Sequence, residues 1–345
     1  MPIFGMGKKK SGTPQAARTQ TSPAAAWAAA AATATATASA GAPAPRRLPD
    51  DGDTELTRLL GIAASRDWDA LRGEFARVEG NDLSSLLSNV CARTPEIGEW
   101  VPNDAGDALA QAVLGADAIE RGWRVRTGKR ATQVSEEQFR EFHRLLRVAE
   151  EYLYASVELD ATSVAPWYSL QISGRGLEVG LDVQQRRFEG ALKRCPGHLG
   201  SHRQMLQQLC RKWGGSHEQM HAFATEAMQG PYGDVLGQLI PMAYFEHLSD
   251  LEKDSPERGF IRSAESRAEL LQAAERTIFR PGYSFPRGPY LAANQFLWAF
   301  TRAGMWPQAK QALDATENTA VTWGPATSDP AKHYTQLRAT VLKNV

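Results

Sequence analysis

The sequence predicts an all-α protein, built as antiparallel helix pairs that stack into a right-handed solenoid behind a disordered N-terminal tail. Three observations carry this expectation. From Asp53 onward nearly every segment repeats its apolar residues at the helical period of about 3.6. No segment alternates apolar and polar residues as a half-buried strand does. The chain also echoes itself at an offset of 35 residues. Ala161, Pro196 and Pro231 occupy equivalent breaks, Leu170, Met205 and Ile240 equivalent apolar positions, and Phe188 matches Phe223. A period in the mid-thirties, made of two helices and a turn, marks a repeat whose units bury their apolar faces only against each other.

Residues 1–50 read as a disordered, weakly cationic tail rich in Ala, Thr and Pro. Within it Ala24–Ala40 imitates a signal-peptide core with Lys8–Lys10 ahead of it. Thr33, Thr35 and Thr37 interrupt that stretch, and it contains no Leu, Ile, Val or Phe. Alanine and threonine do not supply the transfer energy that secretion or membrane insertion needs.

Residues 51–345 read as one helical-repeat domain, its repeats clearest over 150–316. Leu56, Leu59, Leu60 and Ala63 give the first apolar face. Asp67 has the chemistry of an N-cap for Trp68–Val78, and Asn81 or Asp82 that of a cap for a short helix through Leu86, Leu87 and Val90. A helix between Asp104 and Gly122 carries Ala108, Val113, Ala116 and Ile119. Gly128–Ala131 reads as a basic loop. Ser135 with Gln138 forms a capping box before a helix whose stripe is Phe139, Phe142, Leu146, Ala149 and Leu153. Gly174, Gly176 and Gly180 read as an inter-helix turn, because their spacing is wrong for a dinucleotide fingerprint and no strand precedes them.

Glu158-Leu159-Asp160 followed by Trp167 resembles the junction between two tetratricopeptide-type repeats. Phe296, Phe300, Gly304, Trp306, Ala309 and Leu313 fall at that family's small and aromatic packing positions, and Asp67-Trp68 with Leu71 and Phe75 echoes the pattern. The resemblance covers 150–316 and, in part, 53–79. Lys212-Trp213-Gly214-Gly215-Ser216-His217-Glu218 also resembles the signature of a domain family of unknown function in high-GC bacteria, in which the position of His221 is often apolar. These resemblances imply a fold and no activity.

The chain holds 39 basic and 39 acidic residues, and six of the basic ones precede the first acid, Asp50. The remainder therefore carries 33 basic against 39 acidic residues, a formal −6. Such a body argues against bulk binding to nucleic acid. No run is long and apolar enough to span a bilayer. Three cysteines, Cys91, Cys195 and Cys210, without regular spacing fit a reducing cytoplasm, and each reads as a small buried hydrophobe.

One motif with chemistry attached is His217-Glu218-Gln219-Met220-His221, a literal H-E-x-x-H. On a helix it sets two imidazoles one turn apart, with Glu218 as a general base; Glu246, opening an E-x-x-x-D with Asp250, is the third ligand of a zinc metallopeptidase reading. The opposing reading rests on Gly214, Gly215 and Ser216. They put His217 in the first turn of its helix, with Ser216 as N-cap and Gln219 completing a capping box, so the apolar turn that precedes the first histidine in peptidases is missing. Cys195, His198, His202 and Cys210 form a loose cluster, read as caps and core. There is no P-loop and no G-x-S-x-G. The expectation is a non-catalytic cytoplasmic scaffold, without cofactor, for a protein or peptide. Its partner-binding candidates lie in the Pro- and Gly-punctuated loop 279–290: Arg280, Tyr283, Phe285, Arg287 and Tyr290.

Overall fold

The computed structural model describes residues 43–78, 80–128, 131–284, 287–324 and 328–345. Among them the chain is all-helical and holds no β-strand; Arg46 and Thr319 make one isolated parallel bridge. No helix among the described residues is long and apolar enough to cross a membrane.

The first core gathers α1 (Thr54–Ala63), α2 (Trp68–Phe75), α3 (Gly80–Arg93), α4 (Ile97–Trp100) and α5 (Ala108–Arg126) around buried Leu59, Leu71, Leu86, Val90, Ile97 and Val113. Asp53 and Asp67 cap α1 and α2 by accepting from Leu56 N and Ala70 N. The α5 cap is Asp107, which accepts from Leu109 N and Ala110 N; Asp104 instead folds the preceding turn by accepting from Gly106 N. The helix also runs past Gly122 to Arg126, because Gly122 packs against Phe142 and Leu146 and does not end the helix.

The second core lies where α5 meets α6 (Glu136–Leu159) and α7 (Ala165–Gly176). Ser135 and Gln138 close the capping box expected for α6, and Phe142, Leu146, Ala149 and Leu153 bury its stripe. Gly174 and Gly176 lie inside α7 and not in a turn; only Gly180, with φ +84°, sits between α7 and α8 (Leu181–Leu192). A Cβ on Gly176 would come within 2.5 Å of Leu146, and one on Gly174 within 2.4 Å of Arg187, so these glycines let a core side chain and a buried guanidinium reach the α7 backbone.

The third and largest core runs from α8 through α9 (Leu199–Gln208), α10 (His217–Gln229), α11 (Gly233–Leu236), α12 (Leu239–Asp250), α13 (Ala264–Arg276), α14 (Leu291–Ala303), α15 (Trp306–Ala315) and α16 (Pro330–Asn344). Of the residues 35 apart, Leu170, Met205 and Ile240 are all buried, on α7, α9 and α12. Ala161 and Pro196 lie in the turns before α7 and α9, whereas Pro231 lies in the turn before α11, which separates it from α12. Phe188 on α8 and Phe223 on α10 meet edge to face at 5.6 Å. Phe296 and Phe300 are fully buried on α14, Gly304 takes the left-handed conformation after it, and Ala309 and Leu313 bury the face of α15. Each such aromatic contributes about 1.5–3 kcal/mol of burial.

Residues 43–50, counted with the tail on composition, run beside the segment after α15. Arg46 N donates to Asn318 O (2.7 Å), Ala320 N to Arg46 O (3.0 Å) and Arg338 Nη1 to Pro43 O (2.7 Å). Residues 1–42, with the alanine-rich stretch, lie outside the described residues, as do 129 and 130 of the basic loop.

Candidate functional site

The turn into α10 explains where the H-E-x-x-H histidines point. Arg211–Trp213 form one 3-10 turn, and Gly214 follows with φ +90°, a conformation that favours glycine. Gly215 is pressed against the carbonyl of Leu209; a Cβ there would lie 2.1 Å from that oxygen. Ser216 then caps the helix, its hydroxyl accepting from Gln219 N at 3.1 Å. The expected box is only half made. The Gln219 side chain returns no bond to Ser216, and Glu218 is the acid of the first turn, its carboxyl held low by its own backbone N–H and then by the Ser216 hydroxyl.

His217 and His221 both face α12, and what meets them is His247. The rings of His217 and His247 stack at 3.6 Å with an interplanar angle of 17°. His221 Nε2 lies 3.1 Å from His247 Nδ1, with its ring edge-on to Tyr244 and Phe260. Phe260 covers His247 at 4.1 Å. Burial, followed by the facing imidazoles of His217 and His221, brings the His247 ring down to about 4, and burial also lowers His221. Both rings are therefore neutral at pH 7. His217 Nε2 comes within 3.2 Å of Asp250 Oδ2, but neither of its ring nitrogens is aligned for a hydrogen bond.

Glu246 takes other partners. Its carboxylate accepts from Lys212 Nζ at 2.7 Å and Gln207 Nε2 at 2.5 Å. His217 and Glu246 border one small cleft of about 130 Å³ with Arg211, Lys212 and Asp250, and His221 is absent from that lining. A zinc ion needs ligand lone pairs that converge on one point about 2 Å from each. Stacked parallel rings aim theirs side by side. Among the described residues no group of three or more His, Cys, Asp or Glu is arranged to hold a metal ion. In this conformation the three histidine rings pack against one another between α10 and α12. Sequence reasoning took Glu246 as the third member and passed over His247. Spacing puts His247 on the same helix as Glu246, but which of the two meets the motif depends on how α12 is turned against α10.

The other histidine cluster separates into caps and core. His198 Nδ1 accepts from Ser201 N at 3.0 Å, which leaves its proton on Nε2, 2.7 Å from Ser84 Oγ on α3. The ring is fully buried, and desolvation lowers it to about 4. His202 Nδ1 lies 2.9 Å from His198 O. Cys91 and Cys210 are buried as expected; Cys195 is not, because it sits in the turn after α8 and points its thiol at Asn81 Oδ1 (3.0 Å). A polar seam continues from His198. Gln171 Nε2 donates to Ser201 Oγ, Gln184 Nε2 to Gln171 O and Gln208 Oε1, and buried Arg187 makes a two-pronged bond to Glu150.

The loop 279–290 makes many contacts with its own chain. Arg287 is mostly buried, donates to Asp53 Oδ1 at 2.6 Å and lies 3.3 Å from Asp82 Oδ2, so it ties this loop to the N-cap of α1 and the first turn of α3; because α3 already starts at Gly80, Asn81 and Asp82 lie inside it and not at its expected N-cap. Tyr290 donates to Glu317 Oε2 at 3.0 Å beneath the Arg46 guanidinium. The Tyr283 hydroxyl is buried with no hydrogen-bond partner among the described residues, and burial pushes it up to about 12. Arg280 pairs with Asp234 at 3.3 Å and keeps about half its side chain in solvent (45%). Phe285 lies outside the described residues. No family model matches this chain, and no curated protein matches it.

Proposed function

We propose that the chain is a non-catalytic cytoplasmic scaffold, built from tetratricopeptide-like helix pairs in a right-handed solenoid, that binds a protein or peptide. The observation that carries this reading is the offset of 35. Leu170, Met205 and Ile240, spaced by that offset, are all buried, on α7, α9 and α12, and Phe188 packs on Phe223, which supports the reading. Stacked repeats of that kind create an extended surface as a consequence of their geometry. The histidines of the H-E-x-x-H segment pack against His247, which supports a structural role for them. Arg280 is the best placed of the candidate contacts, since its guanidinium is half exposed and held in place by Asp234.

The test uses the full chain as bait, with Arg280→Glu as the matched control and zinc analysis of the same preparations. The expected result is a protein or peptide retained stoichiometrically by the natural chain, released by Arg280→Glu, and no metal in either sample. Stoichiometric zinc that disappears in His221→Ala, together with peptide hydrolysis lost in Glu218→Gln, would overturn the scaffold reading.

A further inference from the structure

A second cleft, of about 310 Å³, opens at the far end of α12. Its wall is formed by Leu248, the loop carrying Lys253 and Asp254, the 3-10 turn Pro256–Arg262, and Arg302 near the end of α14. Four cations (Lys253, Arg258, Arg262 and Arg302) line it with Asp254 as the single acid. Several arginines elsewhere meet carboxylates, as in Arg72 with Asp107, Arg187 with Glu150 and Arg287 with Asp53. Here Lys253, Arg258 and Arg262 form no ion pair among the described residues.

The backbone holds these charges together. Arg258 Nη1 donates to Leu248 O at 2.6 Å and to Leu251 O at 3.0 Å, closing the end of α12. Arg262 Nε donates to Arg302 O at 3.3 Å. The Arg302 guanidinium lies over the Trp298 ring. Four cations gathered around a single acid cost free energy that a bound anion returns. The field is felt within the cluster and at one neighbour. Arg302 is lowered to about 10 by burial and then by Arg258 and Arg262, and His333 is lowered to about 4 by burial and then by Arg302.

We propose that this cleft is a binding site for a phosphate-bearing ligand. Guanidinium forks match phosphate oxygens in pairs, and lysine adds a point charge at the exposed rim. The volume exceeds that of one phosphate and suits a diphosphate or a phosphorylated small molecule. The site stands apart from the scaffold reading, because none of its residues belongs to the loop 279–290 or to the histidine set.

The experiment titrates the full chain with inorganic pyrophosphate by calorimetry at low salt, and in parallel with vesicles of phosphatidylcholine with and without phosphatidic acid. The variant is Lys253→Gln with Arg262→Gln, which leaves the Arg258 bonds to α12 intact; thermal melting of both proteins is followed. The expected result is saturable binding of one pyrophosphate per chain, weakened at least tenfold in the variant at an unchanged melting temperature. Saturable binding only to the phosphatidic acid vesicles, lost in the variant, supports the same site with a lipid headgroup as the source. Absence of saturable binding to both probes, or equal affinity in the variant, overturns the proposal.

Discussion

Acid should destabilise this protein well above the pH at which carboxylates protonate, and His198 is where the size of the effect is best defined. In the folded chain its ring is fully buried, accepts from Ser201 N, faces Ser84 and titrates near 4. In the unfolded chain a histidine titrates near 6.5. Between those values the unfolded state holds a proton that the folded state refuses, so stability is full above about pH 7 and falls as the pH drops towards 4. Linkage over that window gives a loss of about 2 kcal/mol between pH 7 and pH 5 from this one ring. His333, also buried and lowered to about 4, adds a loss of the same sign and order. Buried Asp117 and half-buried Glu120, both raised by desolvation, act in the opposite direction as they take up protons. The clean readout is therefore a difference. Urea unfolding followed by circular dichroism at pH 7, 6 and 5 should show a slope in the natural chain that is shallower by about 2 kcal/mol over the window in His198→Gln. The baseline stability of the variant does not enter that comparison. Equal slopes in the two proteins would refute the assignment of His198 as a buried neutral ring.

Two further outcomes follow from the same packing. Arg187→Met should cost about 3–5 kcal/mol, because among the described residues Glu150 then keeps only Ser173 as a partner in a largely buried site; adding Glu150→Met should restore much of the loss, as read by a double-mutant cycle in urea. Gly215→Ala should cost about 1–3 kcal/mol, because its Cβ would meet the Leu209 carbonyl, a backbone atom that cannot swing aside; the loss appears as a lowered melting temperature.

Much of this architecture is written in local chemistry. The caps at Asp53, Asp67, Ser135 and Ser216 act within three or four residues of themselves, and the apolar stripes on α6 and α14 follow from one helical period. Where local signals competed, the reading shifted. Asp104 and Asp107 both have cap chemistry, and only the register of α5 on its neighbours chooses between them. Gly174 and Gly176 look like a turn until Arg187, Phe142 and Leu146 arrive from other helices to occupy the space a Cβ would fill.

The sequence by itself determined that the described chain is helical and where most helices start, because backbone hydrogen bonds and caps are made between near neighbours. Tertiary structure alone decided what the titratable side chains meet. The two histidines of one motif find a third, His247, 26 residues beyond His221; Glu246 turns to Lys212; and Arg287 reaches back 234 residues to Asp53. Such encounters depend on how whole helices are placed against one another, and no spacing along the chain encodes that.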